Sequence, residues 1–222
     1  MKQANHHKRV NDILLGPLER PALHWLAAHM PAWVTPDICT LIGLGGALVT
    51  MAGYILSNYS TGFLWLASLG FIINWFGDSL DGTLARYRRI ERPMYGYFVD
   101  HAMDALCQFL IILGMGLSPY ISYNFASLAL IAYLMLSIIV YLRTYIVGEF
   151  KISYGGLGPT ESRVIAILLN TAMYFFGVQS FMIGPYPVSI YDLALLAIAL
   201  VLFGFFFNTA AKEVRRLAAL GE

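Results

Sequence analysis

The feature of this sequence that most constrains its fold is a series of long apolar segments. They cover residues 35–56, 63–85, 95–117, 125–147, 161–183 and 189–209. An α-helix rises about 1.5 Å per residue, so each segment is long enough to cross about 30 Å of hydrocarbon. Charged residues make up only 12% of the chain, about half of the share in soluble domains. The sequence therefore predicts an all-α integral membrane protein, built as a bundle of six transmembrane helices.

The apolar segments divide the chain into three parts. Residues 1–34 have a basic start and an amphipathic stretch over residues 10–31, which we expect to be a helix lying in the headgroup plane. A soluble N-terminal cap is the alternative for this part. Residues 35–210 form the transmembrane catalytic domain, and residues 211–222 form a short cytoplasmic tail.

The distribution of positive charge predicts the orientation of the bundle. All 14 Lys and Arg residues fall in the termini, at helix ends next to them, or in and beside the segments 86–94 and 148–160. The loops at 58–62, 118–124 and 184–188 contain none. Lys and Arg accumulate on the cytoplasmic side of membrane proteins, and an even number of spans puts both termini on one side. We therefore expect both termini and the two basic loops in the cytoplasm.

Four aspartates interrupt the second and third spans near their cytoplasmic ends: Asp78, Asp81, Asp100 and Asp104. An ionised aspartate deep in a membrane costs roughly 2.5–3.5 kcal/mol, so four of them require an explanation. Helical periodicity puts Asp78 and Asp81 on one face and Asp100 and Asp104 on another. In an antiparallel hairpin that turns near residue 91, Asp78 faces Asp104 and Asp81 faces Asp100, so the four carboxylates converge.

A convergent set of carboxylates favours hard cations. Four aspartates match the charge of two divalent ions, so we predict a site for two Mg²⁺ or Mn²⁺ ions. Such a site suits phosphoryl chemistry, and one carboxylate is left to accept a proton from an attacking hydroxyl. Salt bridges to nearby arginines are one alternative, and a path in a small cation- or proton-coupled transporter is another.

The residues around these acids resemble the signature of the CDP-alcohol phosphotransferases, also called CDP-alcohol phosphatidyltransferases. The pattern reads Asp78-x2-Asp81-Gly82-x2-Ala85-Arg86, then Gly96-x3-Asp100-x3-Asp104. Nine residues separate its two halves, where the family usually has eight. Six spans and an amphipathic N-terminal helix are also similar to that family, so the resemblance covers nearly the whole chain.

The resemblance implies a membrane transferase of phospholipid biosynthesis. It would move a phosphoalcohol group from a CDP-linked donor to an alcohol hydroxyl and release CMP. One of the two substrates would be a lipid, a homodimer is implied, and we expect no nucleic-acid partner. The family pattern implies that Asp78, Asp81 and Asp100 are metal ligands and that Asp104 is a further ligand or the general base.

The resemblance also implies a nucleotide and diphosphate site. The residues that would line it on the second and third spans are Gly82, Ala85, Arg86 and Gly96. Asp37 and Thr40 resemble the family's Pro-Asn-x2-Thr/Ser segment near the nucleotide, with aspartate in place of the usual asparagine.

Two features point to different substrates. His101 follows the third aspartate, as in the choline and ethanolamine phosphotransferases, where the acceptor is diacylglycerol. Three roles are open for His101: it would take the acceptor's proton, orient a ligand or face the headgroups. Arg143, Lys151 and Arg163 instead suit an anionic acceptor such as inositol phosphate or glycerol phosphate, since arginine pairs well with phosphate. Ordinary positive-inside anchoring would also explain these three residues. We favour CDP-diacylglycerol as donor.

Overall fold

Helices make up most of the chain in a computed structural model that describes residues 8–10, 14–147, 149–151 and 158–220. The described helices are α1 Gly16–His29, α2 Pro36–Leu56, α3 Phe63–Arg88, α4 Pro93–Gly116, α5 Tyr123–Val147, α6 Pro159–Phe176 and α7 Ile190–Ala219. Strand β1 (Lys8–Val10) pairs in parallel with β2 (Glu149–Lys151), while β3 (Ser180–Ile183) and β4 (Tyr186–Ser189) form an antiparallel hairpin.

Five of these helices are long and apolar enough to cross a membrane, namely α2, α3, α4, α5 and α7. They contain 21 to 30 residues, which corresponds to about 32–45 Å at the helical rise. The prediction of an all-α integral membrane protein is confirmed. The remaining long helix, α6, has 18 residues and is less apolar because it begins with charged side chains.

The predicted span 161–183 is wrong at its carboxyl end. Helix α6 ends at Phe176, and the last residues of the predicted span belong to β3. Gly177 has a φ of 65°, a backbone conformation that glycine adopts readily and that ends a helix. Gly184, with a φ of 60°, lies in the turn between β3 and β4. Hydropathy alone did not reveal the break because the hairpin is as apolar as the helix.

Helices α2 and α3 are in backbone contact along a face of small residues. A Cβ added at Gly46 or Gly53 of α2 would overlap the backbone of α3, and one added at Gly70 or Gly77 of α3 would overlap the backbone of α2. Small residues of this kind let membrane helices approach closely. The contact holds the start of α2 beside the part of α3 that carries the first two acids.

Arg88, the last residue of α3, fixes the connection between α1 and α2. Its Nη2 donates to the carbonyl oxygens of Met30 at 2.9 Å and Pro31 at 2.8 Å. Its Nη1 donates to those of Ala32 at 3.4 Å and Val34 at 2.5 Å. One guanidinium therefore satisfies four backbone acceptors just before α2 begins.

Helix α1 is joined to α3 and α6 by Glu19. Its Oε1 accepts hydrogen bonds from Trp75 Nε1 at 2.8 Å and Ser79 Oγ at 3.1 Å, both on α3. The same oxygen accepts from Thr160 Oγ1 of α6 at 2.8 Å. The buried Glu161 also accepts from the backbone N–H of Leu15 at 2.7 Å. These contacts bring the first turn of α1 against the start of α6.

Candidate active site

Helices α3 and α4 bring four aspartates into one group, which we call the acid cluster (Asp78, Asp81, Asp100 and Asp104). The Asp104 carboxyl lies in hydrogen-bonding contact with Asp78. A carboxylate oxygen of Asp100, one of Asp104 and a ring nitrogen of His101 all lie within 4.8 Å of one another. Asp81 is near enough to Asp78 for their charges to interact. The cluster thus combines oxygen donors with one adjacent imidazole.

The acid cluster is built differently from the hairpin that the sequence suggests. Helix α2 packs against both α3 and α4, and α4 packs further against α5. Asp78 meets Asp104 as expected. Asp81 instead contacts α2, where Thr40 Oγ1 donates to its Oδ2 at 2.7 Å. The close approach of α2 to α3 along their glycine face explains why Asp81 finds its partner on α2.

Asp37 and Thr40, expected near a nucleotide, lie in the first turns of α2 but have different partners. Thr40 contacts the acid cluster, whereas both carboxylate oxygens of Asp37 accept from Arg92 Nη2, at 2.6 and 2.7 Å. The Arg92 guanidinium also lies 3.9 Å from the ring centre of Tyr95. The hydrogen bond to Asp37 is the main reason that the pKa of Arg92 is raised. This exposed ion pair joins the start of α2 to the start of α4.

The other signature residues lie near the acids: Gly82 directly follows Asp81 and donates its backbone N–H to the Asp81 carboxylate, and the rest lie about one turn from an acid. Arg86 lies beside Gly82, where an added Cβ would meet its Nη1 at 3.3 Å, and Arg86 Nη2 donates to Thr83 Oγ1 at 3.2 Å. Ala85 is half-buried. An added Cβ at Gly96, in the exposed first turn of α4, would meet no atom within 4 Å among the described residues. The surface beside Gly96 therefore has room for a ligand.

His101 lies between the acid cluster and two tyrosines. Its Nδ1 is 3.7 Å from Asp100 Oδ2. Its ring packs edge-on against Tyr97, with centroids 4.2 Å apart, and stacks on Tyr141 of α5 at 5.1 Å. The side chain is largely buried. Of its three suggested roles, this position is compatible with proton transfer or orientation of a ligand and argues against contact with headgroups.

The described contacts give two of the three basic residues expected to bind an acceptor different partners. Arg143 of α5 donates through Nε to Glu213 of α7 at 2.7 Å. Arg163 of α6 lies in the acid cluster, where its Nη2 donates to Asp78 at 2.7 Å. The backbone of Lys151 lies in β2, but its side chain is outside the described part of the chain.

Two side chains that contact the site were not predicted as parts of it. Asn74 of α3 accepts from Arg163 Nε at 2.9 Å and donates to the carbonyl oxygen of Gly43 at 2.9 Å, so it joins α2, α3 and α6. Its position one turn before Asp78 could have indicated from the sequence that Asn74 lies at the site. Tyr141 packs on His101 from α5, and nothing in its sequence spacing indicates that contact.

Comparison with known proteins identifies relatives of this chain. Cholinephosphotransferase 1 of Danio rerio is 27% identical over 198 residues, which are 84% of this chain and 50% of the relative. The archaetidylinositol phosphate synthase of Methanothermobacter thermautotrophicus is 37% identical over 101 residues, 46% of this chain and 49% of the relative. The phosphatidylinositol phosphate synthase of Cutibacterium acnes is 37% identical over 90 residues, 40% of this chain and 41% of the relative. The chain thus spans about half the length of the curated relatives that it matches most extensively.

A family model described as CDP-alcohol phosphatidyltransferase matches residues 33–205. The match begins just before α2 and continues into α7, so it includes the whole acid cluster and the residues around it. It covers more than three quarters of the sequence. The resemblance carried by the aspartates and glycines is confirmed, and the chain belongs to the CDP-alcohol phosphatidyltransferase family.

Proposed function

We propose that this protein transfers a phosphoalcohol group from a CDP-linked donor to the hydroxyl of an alcohol acceptor and releases CMP. The observation that carries the proposal is the acid cluster, in which Asp78 contacts Asp104 within the region matched by the family. The open surface at Gly96 provides space for a nucleotide beside it. The relatives include a cholinephosphotransferase, an archaetidylinositol phosphate synthase and a phosphatidylinositol phosphate synthase, which supports phospholipid synthesis without selecting a headgroup.

Two divalent ions, Mg²⁺ or Mn²⁺, fit the chemistry of the acid cluster. Asp78, Asp81 and Asp100 would hold them, with Asp104 as a further ligand or the general base, because hard cations prefer carboxylate oxygens. Bound there, the ions would supply positive charge that stabilises the diphosphate and the leaving CMP. Arg163 already supplies one positive charge in direct contact with Asp78.

The proton of the acceptor hydroxyl would pass to Asp104 or to His101. The hydroxyl oxygen bonds to the phosphorus that carries the donor's alcohol group, and the bond from that phosphorus to the CMP oxygen breaks. CMP keeps the electron pair of the broken bond. We place Asp104 first as the base because it interacts with both Asp78 and Asp100, beside which the reacting phosphate would be held. His101 is second because two tyrosine rings already pack against its imidazole, Tyr141 by stacking and Tyr97 edge-on.

CDP-diacylglycerol is our preferred donor, with a phosphorylated alcohol as acceptor. Arg163 supports this choice because it places a guanidinium beside the acids, where it could also pair with a phosphate. Arg143 would contribute to the same acceptor site only if it exchanged Glu213 for the substrate. Lys151 stays a predicted member of that site. The second candidate is transfer from CDP-choline or CDP-ethanolamine to diacylglycerol. It is favoured by His101 next to Asp100 and by the similarity to a cholinephosphotransferase over 84% of the chain.

We propose that α6 is the sixth span and that both termini and the active site face the cytoplasm. Its 18 residues correspond to about 27 Å, and no charged residue occurs between Arg163 and Asp192. The exposed apolar side chain of Trp25 supports an interfacial position for α1 within residues 1–34. Residues 35–210 would then be the catalytic domain and residues 211–222 the tail, although α7 continues to Ala219. The homodimer stays a prediction.

Release of CMP by the purified protein tests the reaction. With Mg²⁺ or Mn²⁺ present, one arm supplies CDP-diacylglycerol and a panel of inositol phosphate, glycerol phosphate, serine and inositol. The other arm supplies CDP-choline or CDP-ethanolamine and diacylglycerol. We expect metal-dependent CMP release in one arm, which also identifies the lipid substrate. If folded protein releases no CMP in either arm, the result contradicts the proposal and favours a transporter, which moves ions without consuming nucleotide.

Substitution of the acids gives the matched control. We expect D81N and D100N to abolish CMP release, because each removes one negative oxygen ligand. E91Q removes one charge from an exposed residue in the link between α3 and α4 and should retain activity. Near-wild-type activity in D81N or D100N would show that the acid cluster is not the metal site.

A further inference from the structure

Arg163 is a basic side chain held inside the acid cluster. Its Nη2 donates to Asp78 Oδ2 at 2.7 Å, and its Nε donates to Asn74 Oδ1 at 2.9 Å. Only 13% of the side chain is exposed. Its Nη1 is buried and has no hydrogen-bond partner among the described residues. The guanidinium therefore uses only part of its hydrogen-bonding capacity in this arrangement.

The contacts of Arg163 with Asn74 and with Asp78 depend on different properties of the two partners. Asn74 is neutral and is itself fixed, since its Nδ2 donates to the carbonyl oxygen of Gly43 at 2.9 Å. Asp78 forms an ion pair with Arg163 and also contacts Asp104, so its bond to Arg163 depends on the negative charge of the cluster. Any cation that binds these carboxylates competes with the guanidinium for Asp78, because two positive charges at contact distance repel.

We propose that Arg163 is an exchangeable counter-ion of the acid cluster, which gives up Asp78 when divalent ions bind. The inference rests on the proposed metal site. The guanidinium stays attached to Asn74 through Nε, and its two terminal nitrogens become available to an anionic group. Two parallel N–H donors suit a phosphate on the acceptor alcohol. Metal binding would thereby prepare the site for a phosphorylated acceptor.

A purely structural role for Arg163 makes the opposite prediction. If Arg163 only oriented Asp78 as a ligand, its removal would weaken metal binding, as loss of a ligand's supporting partner usually does. If Arg163 competes with the metal, its removal strengthens metal binding. The sign of the change in affinity therefore separates the two roles.

Mn²⁺ binding to the full chain in detergent, followed by electron paramagnetic resonance of free Mn²⁺, measures this sign without any substrate. We expect R163M to bind Mn²⁺ about tenfold more tightly than wild type, since a neighbouring positive charge is lost. The matched control is R216M, because Arg216 is 54% exposed and lies 3.7 Å from Glu213 on α7. Its affinity should equal that of wild type. If the wild-type protein binds no Mn²⁺, the proposed metal site itself is refuted. If the wild-type protein binds Mn²⁺ and R163M binds it with the same or lower affinity, only the exchange is refuted.

A second measurement uses only the wild-type protein and does not depend on the folding of a variant. Phenylglyoxal modifies accessible guanidinium groups, and mass spectrometry of the digested protein locates the modified arginines. We expect modification of Arg163 to rise severalfold when Mn²⁺ is added, with Arg216 as the internal reference. Equal modification of Arg163 with and without bound Mn²⁺ would overturn the exchange.

Discussion

Replacing Gly46 by alanine tests whether backbone contact between α2 and α3 supports the bundle. A Cβ at this position would lie 2.7 Å from the Cα of Asn74 and 2.8 Å from the carbonyl oxygen of Gly70, whereas ordinary contacts begin at 3.4 Å. The backbone nitrogen of Asn74 would lie closer still, so the helices would have to separate there by more than about 0.7 Å, which tightly packed interiors resist. Overpacking of this kind costs about 1–3 kcal/mol, and we expect G46A to lower the free energy of unfolding by that amount.

Gly45, the preceding residue, provides the matched control for G46A. An added Cβ at Gly45 meets no atom within 4 Å among the described residues. Alanine also favours a helix over glycine by about 1 kcal/mol in water, so G45A should be neutral or slightly stabilising. Unfolding of both variants in one detergent, followed by circular dichroism, compares them. Equal stability of G46A and G45A would refute the inferred contact between the two backbones.

Three further predictions concern the site and its support. T40V removes the hydroxyl that donates to Asp81 and should reduce CMP release about tenfold, whereas T40S keeps a hydroxyl and should retain CMP release. Equal CMP release by T40V and T40S would show that the contact is dispensable. R88M removes the side-chain donor of four carbonyls before α2, of which only that of Pro31 keeps a backbone donor among the described residues, the N–H of Val34 at 3.1 Å. It should lower the free energy of unfolding by about 1–3 kcal/mol in a denaturation experiment, more than the exposed R89M. Removal of divalent ions by EDTA should stop CMP release, and added Mn²⁺ should restore it; activity that survives chelation would exclude the proposed metal site.

The sequence predicted the features that depend on local patterns. Apolar runs of sufficient length indicated the membrane helices, and the spacing of Asp78 and Asp104 within their helices indicated that these acids could meet. The end of α6 was missed because a glycine with positive φ breaks the helix without a change in hydropathy. The acids themselves were easy to single out, since charge inside an apolar helix has a high energetic cost.

Partners that are distant in sequence could not be predicted in the same way. Arg163 bonds to Asp78 and Arg92 bonds to Asp37, but neither spacing follows a helical period. Both pairs depend on how separate helices pack. The prediction that Asp81 faces Asp100 assumed that α3 and α4 form an isolated hairpin, whereas the glycine face of α2 brings Thr40 to Asp81. An interface between helices therefore decided which partner each acid has.

The three hydrogen bonds accepted by Glu19 affect how the protein can be prepared. Two of the donors, Trp75 and Ser79, lie within one turn of Asp78, and the third, Thr160, lies one turn before Arg163. A strain on the amino-terminal helix would therefore reach both members of the Asp78–Arg163 pair. An affinity tag attached ahead of α1, or proteolytic trimming there, would disturb measurements of metal binding and turnover. A tag placed after α7 acts on a helix that packs against α5 instead.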